Sequence, residues 1–318
     1  MNQKKSRLSQ AMVFLILFGI VSLFSDMTHE GASSIRGAYL ALLGASAGAI
    51  GFISGLGELI GYSMRYLFGR ITDRTRSYWP MVILGYVLDI IAVPALALVG
   101  EHGWIAACLL LVVQRMGKAI KKPAKDTIMS FAASQEGAGR SFGLQELLDQ
   151  IGAFLGPVLL WLVMLGRTDA SPIRTYSLCF AVLAIPGGIT LLLLLYTRSR
   201  FPNPEQFEPE PKEYIPFRMK KSFILYIAGI SLFAFGFIDY SLIVMHISRT
   251  AALSGAAGLI TEETLPLLYA GAMLIDAVSA LFFGFLYDRI GVRSLIFSTL
   301  LSSGFAVFVF SMHSVPAL

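Results

Sequence analysis

Charged residues are scarce in this sequence, and their scarcity limits what the chain can be. Asp, Glu, Lys and Arg make up 14% of the 318 residues, while apolar residues make up 56% and the mean hydropathy is +0.71. A soluble domain has about 25% charged residues. So few charges cannot solvate a globule of this size, which excludes an ordinary soluble enzyme, a disordered protein and a disulfide scaffold. An integral membrane protein with many helical spans remains.

Cysteines and clustered histidines are also lacking. Cys108 and Cys179 lie in separate apolar runs, and we interpret both as small buried hydrophobic residues. The four histidines are scattered near the outer ends of predicted spans, which predicts isolated surface histidines and no metal site. They are His29, His102, His246 and His313. No phosphate-binding loop and no convergent Ser/His or Cys/His set is present, so we expect neither an enzyme, nor a cofactor, nor ATP-driven transport.

Long apolar runs are abundant, and they predict an all-α membrane protein. A bilayer core about 30 Å thick requires about 20 apolar residues per helix. The runs lack the alternation of a β-barrel strand, so we expect helices. Nine spans are predicted: Leu8–Met27, Ala38–Met64, Trp79–Val99, Trp104–Ala119, Leu144–Leu165, Tyr176–Tyr196, Phe223–Ile247, Leu265–Tyr287 and Leu295–Met312.

The basic residues predict the orientation of these spans. If the N-terminus is inside, twenty of the 25 Lys and Arg residues lie in inner segments, four lie in outer segments, and Arg115 lies within a span. Positive charge accumulates on the cytoplasmic side of membrane proteins. The sequence therefore predicts a multi-pass protein of the cell membrane with a cytoplasmic N-terminus. The net charge of +5 reflects this asymmetry and does not indicate a nucleic-acid partner.

A segment rich in Pro and Glu separates the sixth and seventh spans. Arg198–Lys221 contains five prolines and four glutamates, a composition that excludes a membrane helix. We therefore predict a six-helix bundle over residues 1–197, a cytoplasmic linker over 198–221 and a partial second bundle over 222–318.

The chain also repeats a short motif across this linker. Span 2 ends in Gly69-Arg-Ile-Thr-Asp73-Arg74, and span 8 ends in Gly284-Phe-Leu-Tyr-Asp288-Arg289-Ile-Gly291. Both copies of Gly-x-x-x-Asp-Arg follow the second span of a six-span unit, on the predicted inner side. Such a repeat indicates two structurally related bundles.

At this point the sequence resembles the major facilitator superfamily of secondary transporters, whose signature loop is G-x-L-a-D-R-x-G-R-K. The second copy fits this loop well, whereas the first has Arg76 where the second glycine belongs. The resemblance covers essentially the whole chain. It implies two parallel six-helix bundles with a central site between them. That family has twelve spans, so the nine predicted here lead us to expect a truncated sequence with an incomplete second bundle; a genuine nine-span protein is the alternative.

The resemblance also implies roles for the motif residues. The two loops are read as a latch that closes the inner gate, formed by Gly69, Asp73, Arg74, Gly284, Asp288, Arg289 and Gly291. The alternative is a charged turn that only anchors the topology. Span 5 carries Gly152-x-x-x-Gly156-Pro157, which partly resembles a motif of proton antiporters and slightly favours export; a simple packing or kink motif is the alternative.

Charges inside the predicted spans are the candidates for proton coupling. Each costs about 2.5–3.5 kcal/mol at the bilayer centre on insertion scales, so each requires a reason. We expect Glu58, Glu146 and Asp149 to form a buried cluster around Arg115, with Gln114 and Gln150 as hydrogen-bond partners. Asp89 is the weakest candidate, because the resemblance places span 3 at the periphery. The candidates for the cavity and for proton coupling are Asp26, Glu58, Arg115, Glu146, Asp149, Asp239 and Asp276.

Taken together, the sequence predicts a monomeric secondary transporter that moves a small molecule across a lipid bilayer by alternating access. We expect protons as the coupling ion and export slightly ahead of uptake. A proton-symport uptake carrier, or a receptor or scaffold on the same fold that does not transport, are the alternatives. A static salt-bridge network is the alternative role for each buried charge.

Overall fold

The computed structural model of the chain describes residues 9–166, 171–208, 219–235, 243, 264–290 and 293–304. Over these ranges the backbone is largely α-helical and contains no strand. The all-α architecture predicted from the apolar runs is therefore confirmed. Asp239 and Gly291, two of the predicted site residues, lie outside the described residues, as does the side chain of Asp288.

Short connections join most of the helices of the first half. In chain order the elements are α1 (Gln10–Leu42), α2 (Ala47–Thr75), α3 (Tyr78–Ala95, continued by a 3-10 turn at Leu96–Leu98), α4 (Trp104–Glu136), α5 (Ala138–Leu165), α6 (Pro172–Val182), α7 (Ala184–Arg200), a 3-10 helix at Pro204–Phe207, α8 (Lys221–Phe235), α9 (Leu265–Ile290) and α10 (Ser294–Ser303).

Four helical segments of the described chain are long and apolar enough to cross a membrane. They are Gln10–Leu42, Tyr78–Leu98, Ser141–Leu165 and Pro172–Arg200, and shorter apolar helices occupy Lys221–Ala234, Leu265–Ser279 and Ser294–Ser303. The more polar α2 and α4 fall outside this group because they carry glycines and charges along their length. Some of these charges are buried or paired between helices, such as Lys121 and Arg115, whereas others are exposed, such as Asp73 and Asp126.

Two helices extend well beyond the predicted spans. The first predicted span ends at Met27, but α1 continues to Leu42, and the fourth ends at Ala119, but α4 continues to Glu136 through Pro123. The prediction ended α4 at its lysines because charge is costly in lipid. The structure instead places Lys118, Lys121 and Lys125 on one helical face, since their spacing of three and four residues brings them together. The predicted inner loop is therefore helical.

Predicted span 6 is interrupted rather than continuous. The helix stops at Val182, and α7 begins at Ala184 after the single non-helical residue Leu183. Pro186 follows within one turn, and because it has no backbone N–H it cannot donate to Val182. Together α6 and α7 still form one apolar segment.

Glycines bring α1 and α5 into backbone contact. A side chain at Gly152 would collide with the carbonyl oxygen of Leu23, and one at Gly156 would collide with the carbonyl oxygen of Met27 and approach the backbone of Gly31. The Gly152-x-x-x-Gly156 pair therefore packs α5 on α1, while α5 continues as a helix through Pro157. Similar contacts join Gly85 of α3 to Gly117 of α4.

The glycine pairs of α2 do not pack in this way, contrary to the close approach that their spacing predicts. Gly44 lies in the turn before the helix with φ +94°, and Gly57 lies under the side chain of Arg115. At the other positions no described atom lies within 4 Å of an added Cβ: Gly48, Gly55 and Gly61. Gly48 and Gly55 are exposed, whereas Gly61 is buried although no described atom lies within 4 Å of an added Cβ there.

An aromatic cluster holds the start of the linker against the first half. Phe14 of α1 packs edge-on against Phe201, with ring centroids 5.3 Å apart, and also contacts Phe207 of the 3-10 helix. The indole N–H of Trp79 donates to the carbonyl oxygen of Phe201 at 3.0 Å. The linker therefore begins as a packed segment. At the opposite end of the bundle the hydroxyl of Tyr39 donates to the carbonyl oxygen of Leu96 at 2.9 Å.

The second half contacts the first mainly through α9, which packs along α5 and also reaches α1. This contact brings helices from both sides of the linker together, as two adjoining bundles require. The boundaries predicted at residues 197 and 221 stay a prediction.

Candidate functional site

A buried ion pair joins α3 to α4 in the middle of the first half. Lys121 Nζ lies 2.5 Å from Asp89 Oδ2, and both residues are buried. The same ammonium group donates to Ser25 Oγ at 3.2 Å and lies 3.9 Å from the ring centroid of Tyr86. A buried charge requires a partner and further polar contacts, and Lys121 has both.

His29 of α1 lies beside this pair. Its ring is 12% exposed, its Nδ1 is 4.0 Å from Asp89 Oδ1, and its Nε2 is 3.6 Å from Glu30 Oε1. The side-chain amide of Gln114 on α4 donates to His29 Nδ1. The prediction of a surface histidine is therefore wrong for His29, because α1 continues past it for 13 residues. His102, in the turn before α4, is exposed as predicted, while His246 and His313 lie outside the described residues.

One helical turn away, a second group contains the carboxylates of Asp26 and Asp149. Asp26 interacts electrostatically with Asp149 on α5 and with Lys118 and Lys125 on α4. Asp149 Oδ1 accepts from Gln145 Nε2 at 2.7 Å. Lys125 in turn donates to Ser22 of α1. Asp26 and Asp149, two of the predicted proton carriers, thus lie in one polar region between α1, α4 and α5. This region also contains Lys118 and Lys125.

Arg115 and Glu58 form a separate pair between α4 and α2. The guanidinium of Arg115 donates to Glu58 and, through Nη2, to Ser54 Oγ at 3.3 Å. Its side chain lies over Gly57, where any larger residue would displace it. Arg115 is largely buried, whereas the Glu58 side chain is 55% exposed. The pair therefore lies at the edge of the bundle, beside a small recess that Arg36 also lines.

Two polar contacts connect the halves of the chain. Gln150 of α5 donates to Glu146 of its own helix and to Asp276 Oδ2 of α9, each at 3.1 Å. The hydroxyl of Tyr269 on α9 donates to Glu30 of α1. Polar contacts of this kind can break and reform as two bundles move.

Comparison with known proteins now decides the family, because the Major Facilitator Superfamily profile matches residues 8–318. The chain belongs to the Major Facilitator Superfamily. It is accordingly a multi-pass membrane protein of a family of secondary transporters, and the family points to a transporter.

Relatives of this superfamily member include proteins of Mycobacterium tuberculosis and Methanocaldococcus jannaschii. An uncharacterized protein of Mycobacterium tuberculosis is 37% identical over 304 residues, which cover 94% of this chain and 71% of the relative. An uncharacterized MFS-type transporter of Methanocaldococcus jannaschii is 27% identical over 310 residues, which cover 92% of this chain and 72% of the relative.

Solved structures share the fold. The bacterial homologue of the human lysosomal transporter Spinster, in an inward-facing and unoccupied conformation, superposes with a TM-score of 0.58 at 14% identity, covering 90% of this chain and 64% of that one. The D-xylose–proton symporter gives a TM-score of 0.54 at 13% identity, covering 87% of this chain and 69% of that one. The chain thus spans just under two thirds of the length of the Spinster homologue.

The superfamily motif at the C-terminal end of α2 is helical rather than a loop. Gly69, Asp73 and Arg74 all lie before the end of α2 at Thr75, and the chain turns at Arg76, which has φ +52°. Gly69 faces Pro123 of α4, with 3.6 Å between an added Cβ and that ring. Asp73 and Arg74 are exposed.

The other copy of the motif is similarly placed at the end of a helix. Gly284, Asp288 and Arg289 lie within α9, which ends at Ile290. In the first copy Arg76 Nη1 lies 3.4 Å from Glu208 Oε2 of the linker. The latch hypothesis expects the acidic partner to come from the second bundle. The partner of Arg76 is instead Glu208 of the linker.

The predicted four-residue cluster does not form as one group. Glu58 pairs with Arg115, Asp149 bonds to Gln145, and Glu146 bonds to Gln150 on the exposed side of α5. Gln114 is hydrogen-bonded to His29, and Gln150 donates to Asp276, so neither completes the hydrogen bonds of Arg115. The sequence shows how far along its helix each of these residues lies, but it does not show how each helix is rotated about its axis. The prediction used the first property alone and was wrong because the second decides which side chains meet.

Sequence reasoning ranked Asp89 last, yet it is among the most deeply buried carboxylates of the described chain. Its partner Lys121 was assigned to a loop. The signal that could have found the pair is the spacing of Lys118, Lys121 and Lys125, which continues the helical period of span 4 past its predicted end.

Proposed function

We propose that this superfamily member is a proton-coupled secondary transporter that moves a small molecule across the cell membrane by alternating access. The observation that carries the proposal is the polar core of the first half, where Asp26 of α1 interacts electrostatically with Asp149 of α5 and with Lys118 and Lys125 of α4. Ionisable groups inside a membrane bundle typically mark ion or substrate pathways. A static framework would gain little from charges that are costly to bury, which weighs against a scaffold.

Protons are the coupling ion that these groups best support. Asp26 and Asp149 lie close enough to repel each other when both are ionised, so a proton shared between them relieves that repulsion. The nearby lysines hold the remaining negative charge in place. Each proton that enters down the membrane potential contributes about 2.3 kcal/mol per 100 mV, which can be coupled to movement of the substrate.

Alternating access requires two halves that move against each other. The packing of α9 on α5 provides the junction, and the bonds from Tyr269 to Glu30 and from Gln150 to Asp276 are contacts that such a movement would break. We propose that residues 1–197 and 222–318 belong to the two moving halves, that 198–221 is the cytoplasmic linker, and that the protein works as a monomer.

Export remains slightly ahead of uptake in this proposal. The support is the partial resemblance of Gly152-x-x-x-Gly156-Pro157 to an antiporter motif, and the backbone contact of these glycines with α1 beside Asp26 is consistent with a mechanical role. A proton symporter that imports its substrate is the alternative, and the direction of proton movement with substrate distinguishes the two.

The function is tested in liposomes that contain the full-length protein and an internal pH-sensitive dye. Small molecules that raise the melting temperature of the purified protein are added outside, and internal pH is followed with and without an uncoupler. We expect at least one compound to cause a pH change that the uncoupler abolishes. Asp149→Asn and Glu58→Gln should each reduce this change at least tenfold.

A matched control is the exposed Asp126, whose carboxylate lies 3.7 Å from Lys122 on the surface of α4. Asp126→Asn removes one negative charge as the test variants do, and it should leave the pH change within twofold of the unsubstituted protein. Proton movement at the unsubstituted rate in both Asp149→Asn and Glu58→Gln would contradict these assignments.

A further inference from the structure

A chain of polar contacts runs from the α3–α4 ion pair to the junction between the halves. It passes from Lys121 to Asp89 at 2.5 Å, from Asp89 to His29 at 4.0 Å, from His29 to Glu30 at 3.6 Å, and ends at the hydroxyl of Tyr269 on α9. Four helices contribute to it: α4, α3, α1 and α9. The proposed transport mechanism uses the contact between Glu30 and Tyr269, but it gives no role to Lys121, Asp89 or His29.

The side-chain amide of Gln114 lies within hydrogen-bond distance of His29 Nδ1. With the amide nitrogen as the donor, Nδ1 is the acceptor in the neutral ring. The proton of the neutral ring is then on Nε2, which points toward Glu30. Meanwhile Asp89 Oδ1 is buried and accepts no hydrogen bond among the described residues. Asp89 Oδ1 thus lies 4.0 Å from His29 Nδ1, which becomes a hydrogen-bond donor when it gains a proton.

The charged groups around His29 come from several helices. Positive groups on α1 and α4 oppose a charged imidazole, and carboxylates on α1 and α3 favour it. Asp149 on α5 interacts with Asp26, one turn before His29. The groups that act on His29 directly are Glu30 and Arg36 of α1, Asp89 of α3, and Arg115, Lys118 and Lys121 of α4.

We propose that His29 is a proton-binding switch that links the buried Lys121–Asp89 pair to the Glu30–Tyr269 contact between the halves. A proton that reaches Nδ1 takes up its lone pair, so the hydrogen bond from Gln114 is lost. The new N–H turns to Asp89 Oδ1, the nearest open acceptor. The proton comes from a hydronium ion, whose O–H bond breaks as the N–H bond at Nδ1 forms, and the ring, now cationic, also attracts Glu30.

Protonation of His29 affects the contact between α1 and α9. His29 Nε2 faces Oε1 of Glu30, and the hydroxyl of Tyr269 bonds to Oε2 of the same carboxylate. A cationic His29 draws negative charge toward Oε1, which makes Oε2 a weaker acceptor for Tyr269. Weakening the Tyr269 bond favours separation of α9 from α1. Proton uptake in the first half is thereby converted into a change at the junction. This inference rests on the proposed function, since it names the device that couples protons to the movement.

The test measures the distance between the halves as a function of pH. Spin labels are attached at Leu98→Cys, beyond α3, and Leu268→Cys, on α9, both exposed positions, in full-length protein whose two buried cysteines are replaced by alanine. We expect the distance distribution to change between pH 8 and pH 5. His29→Gln, which keeps a polar amide but cannot titrate, should reduce the change at least fivefold.

A matched control is His102→Asn, which removes an exposed histidine at φ +67°, a conformation that Asn tolerates. It should respond as the unsubstituted protein does. Tyr269→Phe should shift the distribution toward the separated state at both pH values. If His29→Gln is not recovered in folded form, Gln114→Met takes its place: loss of the donor to Nδ1 should move the transition to higher pH.

Several results would overturn the switch: a distance that does not change with pH in the unsubstituted protein, a full response in His29→Gln, or an unchanged midpoint in Gln114→Met. Failure of the proposed transport function can be distinguished from failure of the switch. A His29-dependent distance without any proton-linked substrate movement supports the switch and contradicts transport, whereas proton-linked movement with an unaltered response in His29→Gln contradicts the switch alone.

Discussion

At the scale of single residues, the first half depends on charges that are paired inside it. Asp89 and Lys121 are both buried, and each is the main counter-charge of the other. Removing one partner leaves an uncompensated charge, which is far more destabilising than removing both. The pair therefore behaves as a unit whose two members cannot be varied independently.

Lys121→Met should lower the free energy of unfolding by about 3–5 kcal/mol, the usual cost of breaking a buried pair. Combining it with Asp89→Leu should recover most of this loss, because no charge is left unpaired. Unfolding in detergent with increasing denaturant measures both variants. Lys122→Met breaks an exposed pair and should cost at most about 1 kcal/mol. A double variant less stable than Lys121→Met would refute the pairing argument.

At the scale of elements, close helix contacts depend on glycine at a few positions only. Gly152 and Gly156 bring α5 onto the backbone of α1, so the polar groups of the two helices face each other across a narrow gap. The glycines of α2 follow the same sequence spacing without the same contact. Spacing alone therefore does not identify a packing face.

Gly156→Ala should destabilise the protein by about 1–3 kcal/mol, because the added methyl group overlaps the backbone of α1. Gly188→Ala in α7 is the control: no described atom lies within 4 Å of its Cβ, and alanine favours the helix by up to about 1 kcal/mol. The melting temperatures of the two purified variants should move in opposite directions. Equal effects would show that the α1–α5 contact is less tight than described.

At the scale of the whole molecule, orientation follows from the distribution of basic residues and is open to direct test. Glu101, in the turn before α4, is predicted to be outside, and Glu205, in the linker, inside. Both are exposed. In a background without the buried cysteines, Glu101→Cys should react with an impermeant maleimide in intact cells, and Glu205→Cys only after lysis. The reverse pattern would invert the proposed topology.

Much of the architecture was predictable because lipid imposes simple rules. Apolar runs of about 20 residues must be helical, and the repeated Gly-x-x-x-Asp-Arg motif indicated the superfamily. The lengths of α1 and α4 were not predictable in the same way. Hydropathy ends a span where polar and charged residues begin to accumulate, whereas a helix continues wherever its charges find partners on a neighbouring helix, as Lys121 of α4 does in Asp89.

The sequence by itself determined the class of protein, the helical architecture and the family, because hydropathy and motif spacing are properties of local composition. Only the tertiary structure decided which charges meet. Rotation of each helix about its axis, set by contacts such as Gly156 on Met27, turned Gln114 toward His29 and Gln150 toward Asp276. Since side chains of distant segments meet only after packing, no pattern along the chain could place them.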